Sequence, residues 1–134
     1  MIDIEAQVFT IVSNAVLAEY PDAFVSPEYV RQPAQFPAAS IVQMDNTVNR
    51  SMRDSSRVEN GADVMFQVDV YSNKMAGRKE ECKAVIALID EQFALLGFTR
   101  SFLNPLPNLA DATIYRITAR YIATVDKNET IYRR

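Results

Sequence analysis

The sequence predicts an α+β fold: a single, mostly antiparallel β-sheet with two helices packed on one face, in the order α-β-β-α-β-β, with a long hairpin loop between the two central strands. Three observations carry this reading. Residues 62–71 alternate strictly, with Ala62, Val64, Phe66, Val68 and Val70 on one face and Asp63, Met65, Gln67, Asp69 and Tyr71 on the other. A period of two marks a strand buried on one side. Directly after it, Cys82, Val85, Ile86, Ile89, Phe93 and Leu96 recur three and four apart, the apolar stripe of an amphipathic helix. The other strand patterns follow one another through polar connections, as hairpin-linked antiparallel strands do.

The elements run as follows. Residues 3–20 predict a helix, with Ile4, Val8, Ile11, Val12, Ala15 and Leu17 inward and Glu5, Gln7, Ser13, Asn14 and Glu19 outward. Asp3 is its candidate N-cap, and Pro21 ends it. Residues 21–35 hold Pro21, Pro27 and Pro33, so this is a connector with room only for a brief strand near Phe24 or Tyr29. Phe36 to Asp45 predicts a strand, with Pro37 at its start, where a missing N–H is tolerated. The organising strand and helix come next, with Ser72 and Asn73 as cap candidates and Gly97 as a left-handed C-cap. Phe98 to Leu106 predicts a strand stopped by Pro105 and Pro107. Ala112 to Val125 is the longest strand signal. Thr130 to Arg134 returns as a short strand or ends as a tail.

Composition bounds the function. At 134 residues the chain is expected to be one domain, 1–134, long enough to bury roughly two thirds of its unfolded surface. No run approaches the roughly 20 apolar residues that span a bilayer. MIDIEAQVF lacks the basic start of a secretory signal. No membrane partner is therefore expected. The single cysteine, Cys82, lies in the helix stripe, so it reads as a core thiol, and a lone thiol suits a reducing cytoplasm. There is no histidine, which removes the commonest general base and metal ligand. Three glycines, Gly61, Gly77 and Gly97, are spread along the chain, whereas a phosphate-cradling loop needs several close together. Asp63 and Asp69 share a face but stand roughly 20 Å apart at strand rise, beyond the separation of a glycosidase pair. Neither catalytic residues nor a metal site nor a cofactor is expected.

The candidate binding residues lie elsewhere. Residues 46–61 are the least hydrophobic stretch, with Asn49, Arg50, Arg53, Asp54, Arg57 and Glu59. A polar connection of this length is usually functional or disordered, and these six are read as assembly contacts. On the long strand, Arg116 and Arg120 fall on one side of the sheet. Cross-strand pairing matches them with acids such as Asp63 or Asp69. Net charge is −3, which argues against a phosphate-gripping nucleic-acid binder. The charge is uneven: residues 1–30 carry Asp3, Glu5, Glu19, Asp22 and Glu28 and no base, while 116–134 carry Arg116, Arg120, Lys127, Arg133 and Arg134 against Asp126 and Glu129. Such asymmetry suits complementary faces on neighbouring copies.

Several motifs carry a family resemblance. They are Phe36-Pro37 opening a strand, Phe66 to Ser72 running into Asn73, Gly77-Arg78 leading a helix with Glu81 and Cys82, and Tyr115-Arg116 with Ala119-Arg120-Tyr121 in the last long strand. From about residue 3 to 126 the chain resembles the tail terminator (tail completion, or minor tail) proteins of long-tailed bacteriophages. The resemblance implies a structural virion protein of the tail or neck, assembled in the bacterial host cytoplasm. It implies a ring, usually a hexamer of self-contacts, that caps the tail tube and ends its polymerisation. Its implied partners are the tail tube protein and the head-tail connector protein, with genomic DNA only as passing cargo. In such a ring Asp63, Asp69, Arg116 and Arg120 are inter-subunit or lumen-facing candidates. The alternatives are a head-closure or neck connector protein and a small ferredoxin-like enzyme or ligand-binding domain.

Overall fold

The computed structural model describes residues 1–30, 33–49, 60–107 and 113–133. Among these, the chain runs α1 (Glu5–Glu19), β1 (Phe24–Ser26), β2 (Ala38–Val48), β3 (Gly61–Ser72), α2 (Arg78–Leu96), β4 (Thr99–Pro105), β5 (Tyr115–Asp126) and β6 (Ile131–Arg133). The α+β class with both helices over one sheet is as the sequence predicts. The strand order differs in part. The sheet runs β1-β2-β3-β5-β4, and β6 pairs with β5 beyond the end of β4. The brief strand near Phe24 and the short returning strand after Thr130 both form, as β1 and β6, and the pairing of β1 with β2 is parallel.

β3 lies at the centre because its apolar set is sealed on the helix side and its backbone is paired on both edges. Its register runs from Gly61↔Asp126 to Ser72↔Tyr115 with β5 and from Ala62↔Val48 to Tyr71↔Ala38 with β2. Ala62, Val64, Phe66, Val68 and Val70 are all buried. They meet Val8, Val12 and Val16 of α1, Cys82, Val85, Ile86, Ile89 and Phe93 of α2, and Ala119, Tyr121, Ala123 and Val125 of β5. Phe93 is the hub of an aromatic group. It stacks on Tyr121 at 4.3 Å between centroids and meets Phe98 edge-on at 5.1 Å. Fully burying such a ring contributes on the order of 1.5–3 kcal/mol.

Local details depart from the sequence reading for physical reasons. Val16 and Ser13 are buried on α1, while Ile11 and Leu17 are exposed, so the helix is turned relative to the stripe drawn through its larger side chains. The cap position of α1 is Ile4, and Asp3 Oδ1 accepts the Glu5 N–H at 3.0 Å instead of capping from the cap position. Ser72 and Asn73 do not cap α2. Ser72 completes β3, and Gly77, at φ 83°, opens the helix. Gly97 closes it at φ 99°, the left-handed geometry expected there. β2 continues through Asn46, Thr47 and Val48, so the 46–61 segment begins as strand rather than loop.

Candidate assembly surface

Among the described residues, the helices leave the other face of the sheet without a helical cover. Strand alternation places Ser40, Val42, Asp63, Met65, Gln67, Asp69, Tyr71, Arg116, Thr118, Arg120, Ile122 and Thr124 on it, and the register brings them into rows. Its two ends differ. Towards the start of β2, Ala38, Tyr71 and Ile114 form a small second cluster with Phe24 and Phe36 packed against it. That cover leaves Ser40, Asp69 and Thr118 buried. Towards the β2–β3 hairpin the face opens, and Arg120 is exposed.

Asp69 and Arg116 face each other from β3 and β5. The Arg116 side chain reaches Asp69 Oδ1 through both Nη2 at 2.8 Å and Nε at 2.9 Å. Thr118 Oγ1 donates to the same oxygen, and Gln67 Nε2 donates to Oδ2 at 3.2 Å. Burial works against the Arg116 charge, but the hydrogen bond and the charge of Asp69 outweigh it, and the guanidinium is held above its usual range. The carboxylate is 2% exposed and the guanidinium 16%. This pair therefore ties two strands together from within the fold.

Arg120 does not reach an aspartate. Its Nε donates to Gln67 Oε1 at 3.1 Å, and its guanidinium lies 5.3 Å from the centre of the Phe102 ring of β4. A stacked guanidinium keeps its charge available to solvent and to a partner. Asp63 sits where three strands meet. Its Oδ1 accepts from Asn49 Nδ2 at 3.0 Å and from Thr124 Oγ1 at 2.8 Å. The Asn49 N–H also bonds to Gly61 O at 2.8 Å. Asn49 and Asp63 together fix the base from which the 46–61 segment departs. Arg50, Arg53, Asp54, Arg57 and Glu59 lie outside the described residues.

Of the predicted site residues, the structure thus brings Asp69 with Arg116 and Asp63 with Asn49, and leaves Arg120 outward beside Phe102. Sequence reasoning missed Gln67, Thr118 and Thr124, the neutral partners that complete these bonds. Their signal was present in the polar positions of the two alternating strands, once the β3–β5 register was known. It also missed Asp90, which accepts from Tyr121 Oη at 2.9 Å and Arg100 Nη1 at 3.1 Å and links α2 to β5 and β4. Burial, then the hydrogen bond to Asp90, pushes the Tyr121 phenol well above its ordinary range. Burial does the same for Tyr71. Neither phenol is poised as a base near neutral pH.

A sheet sealed by helices on one side, with Asp63, Asp69 and Arg116 on the other bonded to neighbouring strands, has the make-up of a packing module. The family model described as Tail completion protein gp17 matches residues 10–134, and the chain belongs to this phage tail completion family. It is a structural protein of the phage tail, and so a virion component that works among other tail and virion proteins. No curated protein matches the chain. No helix among the described residues is long and apolar enough to cross a membrane.

Proposed function

We propose that the chain closes into a ring of six copies that caps the tail tube, ends its polymerisation and joins the tail to the head connector in the neck. The family match across residues 10–134 carries this reading. The proposed unit is the whole chain, 1–134, with the 46–61 segment as the arm that meets tube protein or a neighbouring copy. Asn49 and Asp63 anchor that arm to the sheet, and Asn49, Arg50, Arg53, Asp54, Arg57 and Glu59 would make its contacts. Arg120 and the open part of the helix-free face would add a second surface, which Asp69 and Arg116 keep rigid. An acidic protein repels DNA phosphates, which suits a conduit for genomic DNA that is passed along rather than held. Assembly would take place in the host cytoplasm before tail and head meet.

Six copies of a 15.1 kDa chain weigh about 91 kDa. Light scattering with negative-stain imaging, alone and in the presence of tail tubes, tests the proposal. Rings of that mass and arrest of tube elongation are expected. A strict monomer that leaves tube ends growing overturns it. Capture of a portal-side adaptor with no binding to tubes would point to a head-closure protein instead.

A further inference from the structure

Two separate surface features of the subunit match each other. The first is a knob. Met75, in the short connection between β3 and α2, is 99% exposed, a rare setting for so apolar a side chain. The connection is tied in place. Lys74 N–H bonds to Ser72 Oγ at 3.4 Å, Arg78 Nη1 to Lys74 O at 3.3 Å, and Glu81 N–H to Gly77 O at 2.9 Å. Lys74, Arg78, Lys79 and Lys83 lie within eight residues of the knob along the chain, against Glu80 and Glu81. Glu81 is already engaged by Ser72 Oγ at 2.7 Å and Lys74 Nζ at 3.5 Å.

The second feature is a groove of about 350 Å³ beside the first turns of α1, with Ala6, Phe9 and Pro27 as its apolar surface and Asp3 and Glu5 on its rim. Glu28 follows Pro27, and residues 1–30 contain no base. The groove reaches the middle of the sheet, because Pro27 follows Ser26, which pairs with Ser40 and through it is level with Asp69. α1 begins at the hairpin end, where Asn46 Nδ2 bonds to Ile2 O at 2.8 Å and Gln7 Nε2 to Glu129 at 3.3 Å. The knob follows Ser72, roughly 26 Å along β3 from Val64, the partner of Asn46. Met75 is almost wholly exposed and does not fill the groove of its own copy.

We propose that the groove of one copy receives Met75 of a second copy, the lysines and arginine around the knob meeting the acidic rim. The contact rests on the ring reading above and says which surfaces make the ring. A thioether laid against an aromatic edge is a favourable filling for such a groove, here Met75 against Phe9. Opposite charges around an apolar centre fix orientation. When each copy gives its knob to the next and receives its own groove's filling from a third, the contact is heterologous and propagates head to tail, as a closed ring requires.

Engineered cysteines test the pairing in the full chain, with tail tubes present. Met75 and Ala6 are both exposed, so substitution should leave the fold intact, which circular dichroism checks. Oxidation of the doubly substituted M75C, A6C chain should yield a covalent ladder beyond the dimer. M75C and A6C mixed as separate single variants should yield only the crossed dimer. Met75→Asp should abolish rings without unfolding the chain. A disulfide dimer from M75C alone would mean a two-fold contact and overturn the proposal. Rings seen by microscopy with no 75–6 crosslink would overturn it while leaving the ring reading standing. Monomers under every condition would remove the ring reading and this contact together.

Discussion

Arg116 and Asp69 meet through two N–H groups on one carboxylate oxygen, Nη2 at 2.8 Å and Nε at 2.9 Å, on the side of the sheet away from α1 and α2. The carboxylate is sealed by Thr118, Gln67 and the cover near Tyr71, so water cannot replace a lost guanidinium. Removing one partner of such a pair is far worse than never having had it. Arg116→Met should therefore destabilise the fold by about 3–5 kcal/mol, read as a lower urea midpoint at unchanged slope. The double change R116M, D69N should recover part of the loss, because it removes the stranded charge. A loss for R116M alone within about 0.5 kcal/mol, the range of ordinary surface substitutions, would show that the pair is solvated and not a tie between β3 and β5.

The two helix-end glycines of α2 should respond differently to alanine. Both have positive φ, 83° at Gly77 and 99° at Gly97, where a side chain costs about 1–2 kcal/mol. At Gly77 an added Cβ would meet only Glu80 Oε2 at 3.9 Å, whereas at Gly97 it would stand 3.3 Å from Ile131 Cγ2 and 3.5 Å from Ile131 O. Gly97→Ala should thus be the more destabilising and should also loosen β6. Thermal melts of the two variants, with hydrogen exchange at residues 131–133, give the comparison. Equal melting temperatures would contradict it.

The contrast between the two glycines also shows what the sequence made legible. Gly97 stood one position past the end of an apolar stripe, so its role as a C-cap could be read locally. Gly77-Arg78 was legible as the helix entry, but Ser72 and Asn73 also looked like caps because nothing local showed that β3 would hold Ser72. The alternation of residues 62–71 revealed which side chains enter the core, because one strand with one sealed face is a local pattern. The pairing of Arg116 with Asp69, and of Arg120 with Gln67, was set by register, which depends on strands 47 and 53 residues apart. The helix α1 misled for a related reason. Ile11 and Leu17 are larger than Ser13 and Val16 and drew the stripe towards themselves, but the packing of α1 beside α2 chose the narrower side. Met75 was invisible as a surface feature because a lone methionine in a polar connection carries no periodicity.

Cys82 should be inert in the folded chain. Its Sγ is buried, 3.5 Å from Tyr115 O and 3.7 Å from Val70 O. Burial, then the neighbouring Glu81 charge, pushes the thiol up to about 12 from an ordinary 9.0. The thiolate is the reactive form, so iodoacetamide at pH 8 should not label the native chain and should label it fully in denaturant. The sign for stability follows from proton binding. Above 9.0 the unfolded chain releases a proton that the folded chain retains, so Cys82 makes the fold progressively less stable as pH rises from about 9 towards 12. Cys82→Ala removes that part of the alkaline loss while opening a small void. Rapid labelling of the native protein at pH 8 would refute the account.

Asp126 gives the acid limb a defined reporter. At the end of β5 its Oδ1 accepts the N–H groups of Asn128 and Thr130, both at 2.8 Å, and its Oδ2 accepts the Tyr132 hydroxyl at 3.1 Å. The Thr130 N–H bond leads in holding the carboxyl below its ordinary 3.8, with burial opposing it and Asn128 and Tyr132 adding to it. A carboxylate whose folded value is depressed lends stability that is fully present above the unfolded value and disappears as pH falls through the folded one. The turn that returns the chain into β6 should therefore hold at pH 5 and open only below 3.8. The same bond acts on the other partner: Asp126 raises the Tyr132 phenol above 10.0. Nuclear magnetic resonance titration of the Asn128 and Thr130 amides from pH 7 to 2 should show a midpoint below 3.8 in the native chain. In Asp126→Asn that acid transition should vanish from both amides, and β6, which pairs Val125 with Ile131, should exchange its amide protons faster at every pH. Amide midpoints at or above the ordinary aspartate value would mean that the carboxylate does not hold the turn.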